Sequence, residues 1–131
     1  MRFTVDRLDH VVLTCADLEL SAAWYQRVLG MEREEFGVDR RTALRFGGQK
    51  LNLHPAEAPL PPHARRPAPG SGDLCFVTAV RPEDVIAHLH TLGVAVELGP
   101  VARTGALGAM VSVYCRDPDG NLVEIASYLA E

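Results

Sequence analysis

Four polar residues stand out by type and position: His10, Asn52, Asp73 and Glu124 each interrupt a short, otherwise apolar stretch. An unpaired imidazole or carboxylate on a buried strand costs several kcal/mol unless it is hydrogen-bonded, ion-paired or bound to a metal. His10 shares a strand face with Val12 and Thr14, and Glu124 shares one with Ala126 while Val123 and Ile125 take the opposite side. His54 follows Asn52 by two residues, so both point the same way along an extended chain. Imidazole nitrogens and carboxylate oxygens converging on one cavity suit a divalent ion such as Zn, Ni, Mn, Co or Fe. The plainer reading pairs His10 and Glu124 in a buried polar ladder, and residues so far apart in sequence are not by themselves a motif. Both readings stay open at this point.

The elements that position these residues repeat. Residues 7–14 are β-branched and apolar and predict a strand. Asp17 then caps a helix that runs to Gly30 with Leu18, Ala22, Tyr25, Val28 and Leu29 as its apolar stripe. Strands near 32–38, 41–46 and 49–54 follow, separated by Gly37 and the Gly47–Gly48 pair. The second half repeats the order: a strand over 74–79, a helix opened by Pro82 and carrying Val85, Ile86, Leu89 and Leu92 to Gly93, then strands near 94–98, 110–116 and 121–127. Each half is a βαβββ module, spanning 5–54 and 72–128 within a single 1–131 domain. Gly48 lies four residues before Asn52 and Gly120 four before Glu124, so the repeat places His10 opposite Asp73 and Asn52 opposite Glu124. Residues 55–71 hold six prolines, which remove backbone donors and fix φ, so a stiff extended linker joins the modules. Gly99 to Ala109, with Arg103, Thr104 and several glycines, reads as an irregular loop and a candidate substrate lid.

Composition narrows the functions. Thirteen Lys and Arg against 17 Asp and Glu give a net charge of −4 over 131 residues, which disfavours a nucleic-acid partner. No apolar run reaches the roughly 18–20 residues of a membrane span and no signal-peptide core opens the chain, so a soluble cytoplasmic protein without a membrane partner is expected. Cys15, Cys75 and Cys115 have no Cys-x-x-Cys spacing, and their expected role is as small apolar residues in a reducing compartment. His88 and His90 face different sides of the second helix and His63 lies in the linker, so all three read as surface residues. Met31, Met110 and Trp24 read as packing residues. Nucleotide-binding glycine motifs and a nucleophile elbow are absent.

Three segments together resemble the vicinal oxygen chelate superfamily (glyoxalase, bleomycin resistance and extradiol dioxygenase proteins): residues 8–14 (LDHVVLT), 24–31 (WYQRVLGM) and 116–124 (RDPDGNLVE). Residues 50–54 (KLNLH), the glycine before Asp73 and residues 99–106 (GPVARTGA) are similar, more narrowly, to short single-domain glyoxalase-domain-containing proteins. The resemblance implies an α+β fold of two βαβββ modules forming a cup-shaped mixed sheet, completed in a homodimer. It also implies one divalent metal, with His10 matching the first-strand ligand and Glu124 the last-strand ligand.

The place of the usual third ligand, a His, holds Asp73, and the place where glyoxalase I uses a Glu holds Asn52. Either Asp73 completes a site of one His and two carboxylates, or His54 swings in, or the metal is weak or missing. Tyr114 matches a substrate-contacting Tyr of fosfomycin-modifying enzymes, and Arg103, beside Thr104, would neutralise an anionic small-molecule substrate. The resemblance thus implies a metal-dependent lyase, isomerase, dioxygenase or thiol transferase, with Asp73 or His54 as base and Tyr114 at the reacting centre. The alternative is a metal-free protein that binds and sequesters a small ligand.

Overall fold

Helix α1 (Leu18–Leu29) follows strand β1 (His10–Cys15) and is capped at both ends as its sequence predicts. Asp17 is extended (φ −132°) and its carboxylate accepts a hydrogen bond from the Leu20 amide at 3.1 Å, while Gly30 closes the helix in the left-handed region at φ 67°. Its inward stripe of Ala22, Trp24, Tyr25 and Val28 is buried. Strands β2 (Glu32–Phe36), β3 (Arg41–Phe46) and β4 (Gln49–Pro55) then complete a four-stranded sheet ordered β1-β4-β3-β2, with β1 parallel to β4 and the rest antiparallel.

The same sequence of elements follows in the second half. Strand β5 (Asp73–Val77) leads to helix α2 (Pro82–Thr91), and strands β6 (Leu98–Gly105), β7 (Gly108–Arg116) and β8 (Leu122–Tyr128) complete a second sheet ordered β5-β8-β7-β6. Again the first strand runs parallel to the last of its module. The computed structural model describes residues 1–130, and these fall into two compact units, Met1–Ala68 and the described residues from Pro69 onward. The fold is α+β, built of two βαβββ modules.

Strand alternation gives each sheet an apolar face and a polar one. In the first sheet Leu13, Cys15, Leu44, Leu51 and Leu53 share one side and are buried with the α1 stripe. In the second, Val113, Cys115, Val123 and Ile125 do the same with Val85 and Leu89 of α2. Met31, Met110 and Trp24 are buried, as their reading as packing residues requires, and His63, His88 and His90 are exposed.

Several boundaries differ from the sequence reading, among them β2, which ends at Phe36 rather than 38, and β5, which spans Asp73–Val77 rather than 74–79. β1 begins at His10 rather than Arg7, because its register starts where His10 meets Lys50 of β4. Helix α2 ends at Thr91, one turn position short of Leu92, which serves as its C-cap. No strand occupies 94–97. The stretch from Gly99 to Ala109 is not an irregular loop but most of a β-hairpin, in which β6 pairs with β7 from Leu98–Tyr114 to Gly105–Gly108. Glycine and proline punctuation suggested a loop, but the cross-strand partners that decide the matter lie on β7. A register shift between Leu98 and Val101 absorbs the Gly99–Pro100 pair. At the hairpin tip a Cβ on Gly105 would come within 2.6 Å of the Tyr128 hydroxyl, which accepts a hydrogen bond from the Leu107 amide at 3.1 Å. The lid reading therefore gives way to a hairpin tied down at its end.

Residues 56–72 form neither helix nor strand. Their last part docks on the turn before β8: a Cβ on Gly70 (φ 84°) would lie 2.7 Å from the Asp119 carbonyl oxygen. That turn is organised by buried Asp117. Its Oδ1 accepts from the amides of Asp119 and Asn121, both at 2.9 Å, and its Oδ2 accepts from the Asn121 side-chain amide at 2.7 Å. Asn121 in turn accepts from the Gly72 amide at 2.7 Å. The Asp-Pro-Asp-Gly-Asn segment is thus a clamp that sets the starts of β5 and β8, and with them Asp73 and Glu124.

Candidate functional site

On the polar face of the first sheet, His10, Val12 and Thr14 of β1 stand in register with Lys50, Asn52 and His54 of β4. His10 is not buried: its side chain is 43% exposed, so the cost of burying an unpaired imidazole does not apply to it. Its Nδ1 lies 2.9 Å from Asp9 Oδ1. A carboxylate only accepts, so Nδ1 is the donor in this contact and Nε2 is the ring nitrogen left for other partners. The same hydrogen bond holds the Asp9 carboxyl below the usual carboxylate range.

Asn52 and His54 are the buried polar residues of this face, 7% and 5% exposed. Asn52 Oδ1 and His54 Nδ1 have no hydrogen-bond partner. Burial pushes the His54 imidazole below its ordinary pKa, and the charges of Arg41 and His63 push the same way. His54 is accordingly a neutral imidazole at pH 7.

The polar face of the second sheet carries Asp73 and Cys75 on β5, Glu124 and Ala126 on β8, Ser112 and Tyr114 on β7, and Arg103 on β6. Glu124 is half-buried, with Cys75 on one side in register and Tyr114 on the other. Fully buried Ser112 donates its hydroxyl to Glu124 Oε2 at 2.6 Å, a short charge-assisted bond that fixes the carboxylate. Arg103 Nε donates to the Tyr114 hydroxyl at 2.9 Å, and its guanidinium carbon lies 5.5 Å from the ring centroid.

The second face also corrects three expectations. Cys15 and Cys115 are buried as small core residues, but Cys75 is exposed on this face beside Glu124. Desolvation, then the Glu124 charge and a hydrogen bond to it, push the Cys75 thiol up to about 11. Asp73, like His10, is exposed at the start of its strand rather than buried. Thr104 pairs with Ala109 and so alternates to the side opposite Arg103 and Glu124, which separates it from the other predicted substrate contacts.

His10, Asn52 and His54 thus share a face of the first unit, and Asp73, Tyr114, Arg103 and Glu124 share a face of the second. Sequence reasoning missed Asp9 and Ser112, the two residues that orient the predicted ligands. Asp9 was legible as the neighbour of His10. Ser112 was not, because only the β7–β8 register brings it to Glu124.

Among the described residues no group of three or more His, Cys, Asp or Glu side chains lies together in a geometry that could hold a metal ion. The donor chemistry nonetheless fits a divalent ion at the level of single ligands: a free imidazole Nε2 oriented by a carboxylate, and a carboxylate oriented by a hydroxyl, are the outer-shell arrangements that metal ligands use.

The family model described as the Glyoxalase/Bleomycin resistance protein/Dioxygenase superfamily matches residues 7–125. The chain is 46% identical over 129 residues to virulence protein STM3117 of Salmonella typhimurium, covering 98% of this chain and 89% of that one. The crystal structure of STM3117 superimposes with a TM-score of 0.94 over 97% of this chain and 100% of that chain. This chain is 47% identical over 127 residues to the glyoxalase domain-containing protein RDO1 of Mycosarcoma maydis, covering 97% of this chain and 71% of that protein. A lactoylglutathione lyase of Agrobacterium tumefaciens shares 26% identity and a TM-score of 0.72, with 95% of each chain covered. With its paired βαβββ modules and a family match across nearly its whole length, the chain belongs to the glyoxalase, bleomycin resistance and dioxygenase superfamily.

Proposed function

We propose that the protein is a metal-dependent enzyme of this superfamily that acts on a small, oxygen-bearing anionic substrate, as a lyase or isomerase, a dioxygenase or a thiol transferase. The observation that carries this reading is the fixed Glu124 carboxylate on a face that also presents the Arg103–Tyr114 pair. The candidate ligands are His10 through Nε2 on the first unit and Glu124 and Asp73 on the second. When bound, a divalent ion polarises substrate oxygens as a Lewis acid.

The chain's own groups supply the rest. Arg103 offers a planar guanidinium to an anionic group. Tyr114 accepts from Arg103, which leaves its own O–H free to donate to a substrate oxygen where negative charge develops. Neutral His54 keeps a nitrogen able to take a proton, and Asp73 is the other candidate base.

A second reading, a metal-free protein that binds and sequesters a small ligand, draws on two observations: Asp73 stands where a histidine ligand is expected, and unpaired polar atoms at Asn52 and His54 are ready for a ligand. Elemental analysis of untagged protein decides between the two. Near-stoichiometric metal in the parent that falls in both His10→Ala and Glu124→Ala is the expected result. Metal-free parent after reconstitution with each candidate ion would remove the enzyme reading and leave sequestration.

A further inference from the structure

Helix α1 covers one side of the first sheet, yet Ala43, in the middle of the other side, has no exposed surface and Asn52 beside it is 7% exposed. Two long side chains account for the cover. The Lys50 ammonium lies 3.6 Å from the centroid of the Phe36 ring. These residues start two strands apart, on β4 and β2, and at opposite ends of the face: Lys50 is in register with Arg45 of β3, and Phe36 with Arg41. Ala43 sits midway between Arg45 and Arg41 on β3 and points to the same side, so side chains that meet along this diagonal meet above it. Lys50 and Phe36 form a strap across the polar face.

The strap is lightly held. A ring attracts an ammonium only weakly at an open site, and Lys50 is half-buried. Lys50 makes no ion pair among the described residues, and its cross-strand neighbours, His10 and Arg45, are not acids. Asp9 feels the Lys50 charge, but its Oδ1 is engaged by His10 at 2.9 Å. Arg33, Arg40, Arg41 and Arg45 of the same unit each hold a carboxylate. The Lys50 ammonium thus rests on a ring that offers no acceptor lone pair to its three N–H donors.

Lys50 is the one lysine among the 13 Lys and Arg of the chain. A permanent stack on a ring is better made by a guanidinium, which is planar and weakly hydrated. The second sheet shows that fixed form, where Arg103 both lies over the Tyr114 ring and donates to its hydroxyl. A compact ammonium on a flexible stem suits a cation that leaves its ring.

From this geometry we infer that Lys50 is a ligand-binding residue, parked on Phe36 in the free protein and released to donate to a small oxyanion, the carboxylate or phosphate of a ligand, on the first-sheet face. The inference rests on the reading of this face as part of a small-molecule site, and it names the residue that takes the ligand's anionic group there. It does not depend on the metal.

A single lysine makes the test direct. In protein labelled with 13C-lysine, the Lys50 ε-methylene gives one resonance, which the Phe36 ring current moves upfield of free lysine. Phe36→Leu should return it to the free position. Titration of the parent with inorganic phosphate and with acetate should move the resonance the same way and saturate, and the tighter of the two should bind roughly tenfold or more tightly than chloride at matched ionic strength. Lys50→Met should remove the shifts that this anion causes in the Ala43 and Asn52 amide resonances of the parent.

A parent resonance at the free-lysine position, unchanged in Phe36→Leu, would overturn the inference without any variant having to bind a ligand. So would a resonance that stays upfield throughout both titrations, or drifts linearly as it does with chloride. Metal content measured on the same samples separates the two readings: an anion response in a metal-free protein would sink the enzyme proposal and leave this one standing, and metal without an anion response would do the reverse.

Discussion

His54 links a side chain's environment to a measurable property of the fold. Its folded pKa is depressed by burial, then by Arg41 and His63, from an ordinary value of 6.5. As pH falls below that value the unfolded chain takes up a proton before the folded one does, so stability declines until the folded imidazole also protonates. Above pH 6.5 this group contributes no pH dependence. The urea midpoint is therefore expected to fall between pH 7.5 and pH 5.5, and the fall should be much smaller in His54→Phe. The lowered carboxylates Asp9, Glu19, Asp39 and Glu97 act in a separate, more acidic window, below their ordinary values of 3.8 to 4.5. A midpoint that drops equally in parent and variant would assign the effect to another group. Ser112 yields a second expectation at this scale. Ser112→Ala removes the donor to a half-buried carboxylate, costs about 1.5–3 kcal/mol, and is expected to lower the denaturation midpoint while leaving the mean secondary structure unchanged. Of the candidate site, His10 and Glu124 were legible from residue type and repeat position. The unpaired state of Asn52 and His54 was not, since it depends on which neighbours fail to reach them.

The elements show where sequence signals suffice and where they do not. Helix α1 was legible to within one residue at each end, because Asp17 and Gly30 act locally through one side-chain bond and one positive φ. The β6–β7 hairpin was not, because its strand state is decided by partners such as Ser112, Val111 and Met110 rather than by its own glycines. The Asp117 turn lies between these cases: its motif was visible, but its three accepted hydrogen bonds, which make it a structural clamp, appear only in the fold. Two substitutions measure the difference. Asp17→Ala removes one exposed capping bond and should cost about 1 kcal/mol. Asp117→Ala strips the partners from two amides and a buried Asn121 side chain, and should cost about 3 kcal/mol or more by chemical denaturation. Similar costs for the two would mean that the turn holds itself together without its aspartate.

At the scale of the whole molecule, the two modules repeat one topology, with the first strand of each paired parallel to its last and lying at the end of its sheet. Terminal strands present unpaired backbone groups that soluble proteins cover or blunt. Here β5 alternates exposed Asp73, Cys75 and Val77 with half-buried Leu74 and Phe76, and Val80, three residues beyond Val77, is also exposed. No helix among the described residues is long and apolar enough to cross a membrane, so a bilayer-spanning helix is not what this surface serves. A second copy of the chain is the simplest cover, because a two-fold axis brings the same patch to itself. The expected light-scattering mass at micromolar concentration is therefore about twice the 14.3 kDa of one chain. Charge placed on the patch by Val77→Lys should shift that mass toward a single chain without lowering the α-helical signal, since Val77 is 61% exposed and contributes little to its own unit's core. A parent that runs at 14.3 kDa across the concentration range would remove the dimer. A variant that stays dimeric would move the interface away from β5.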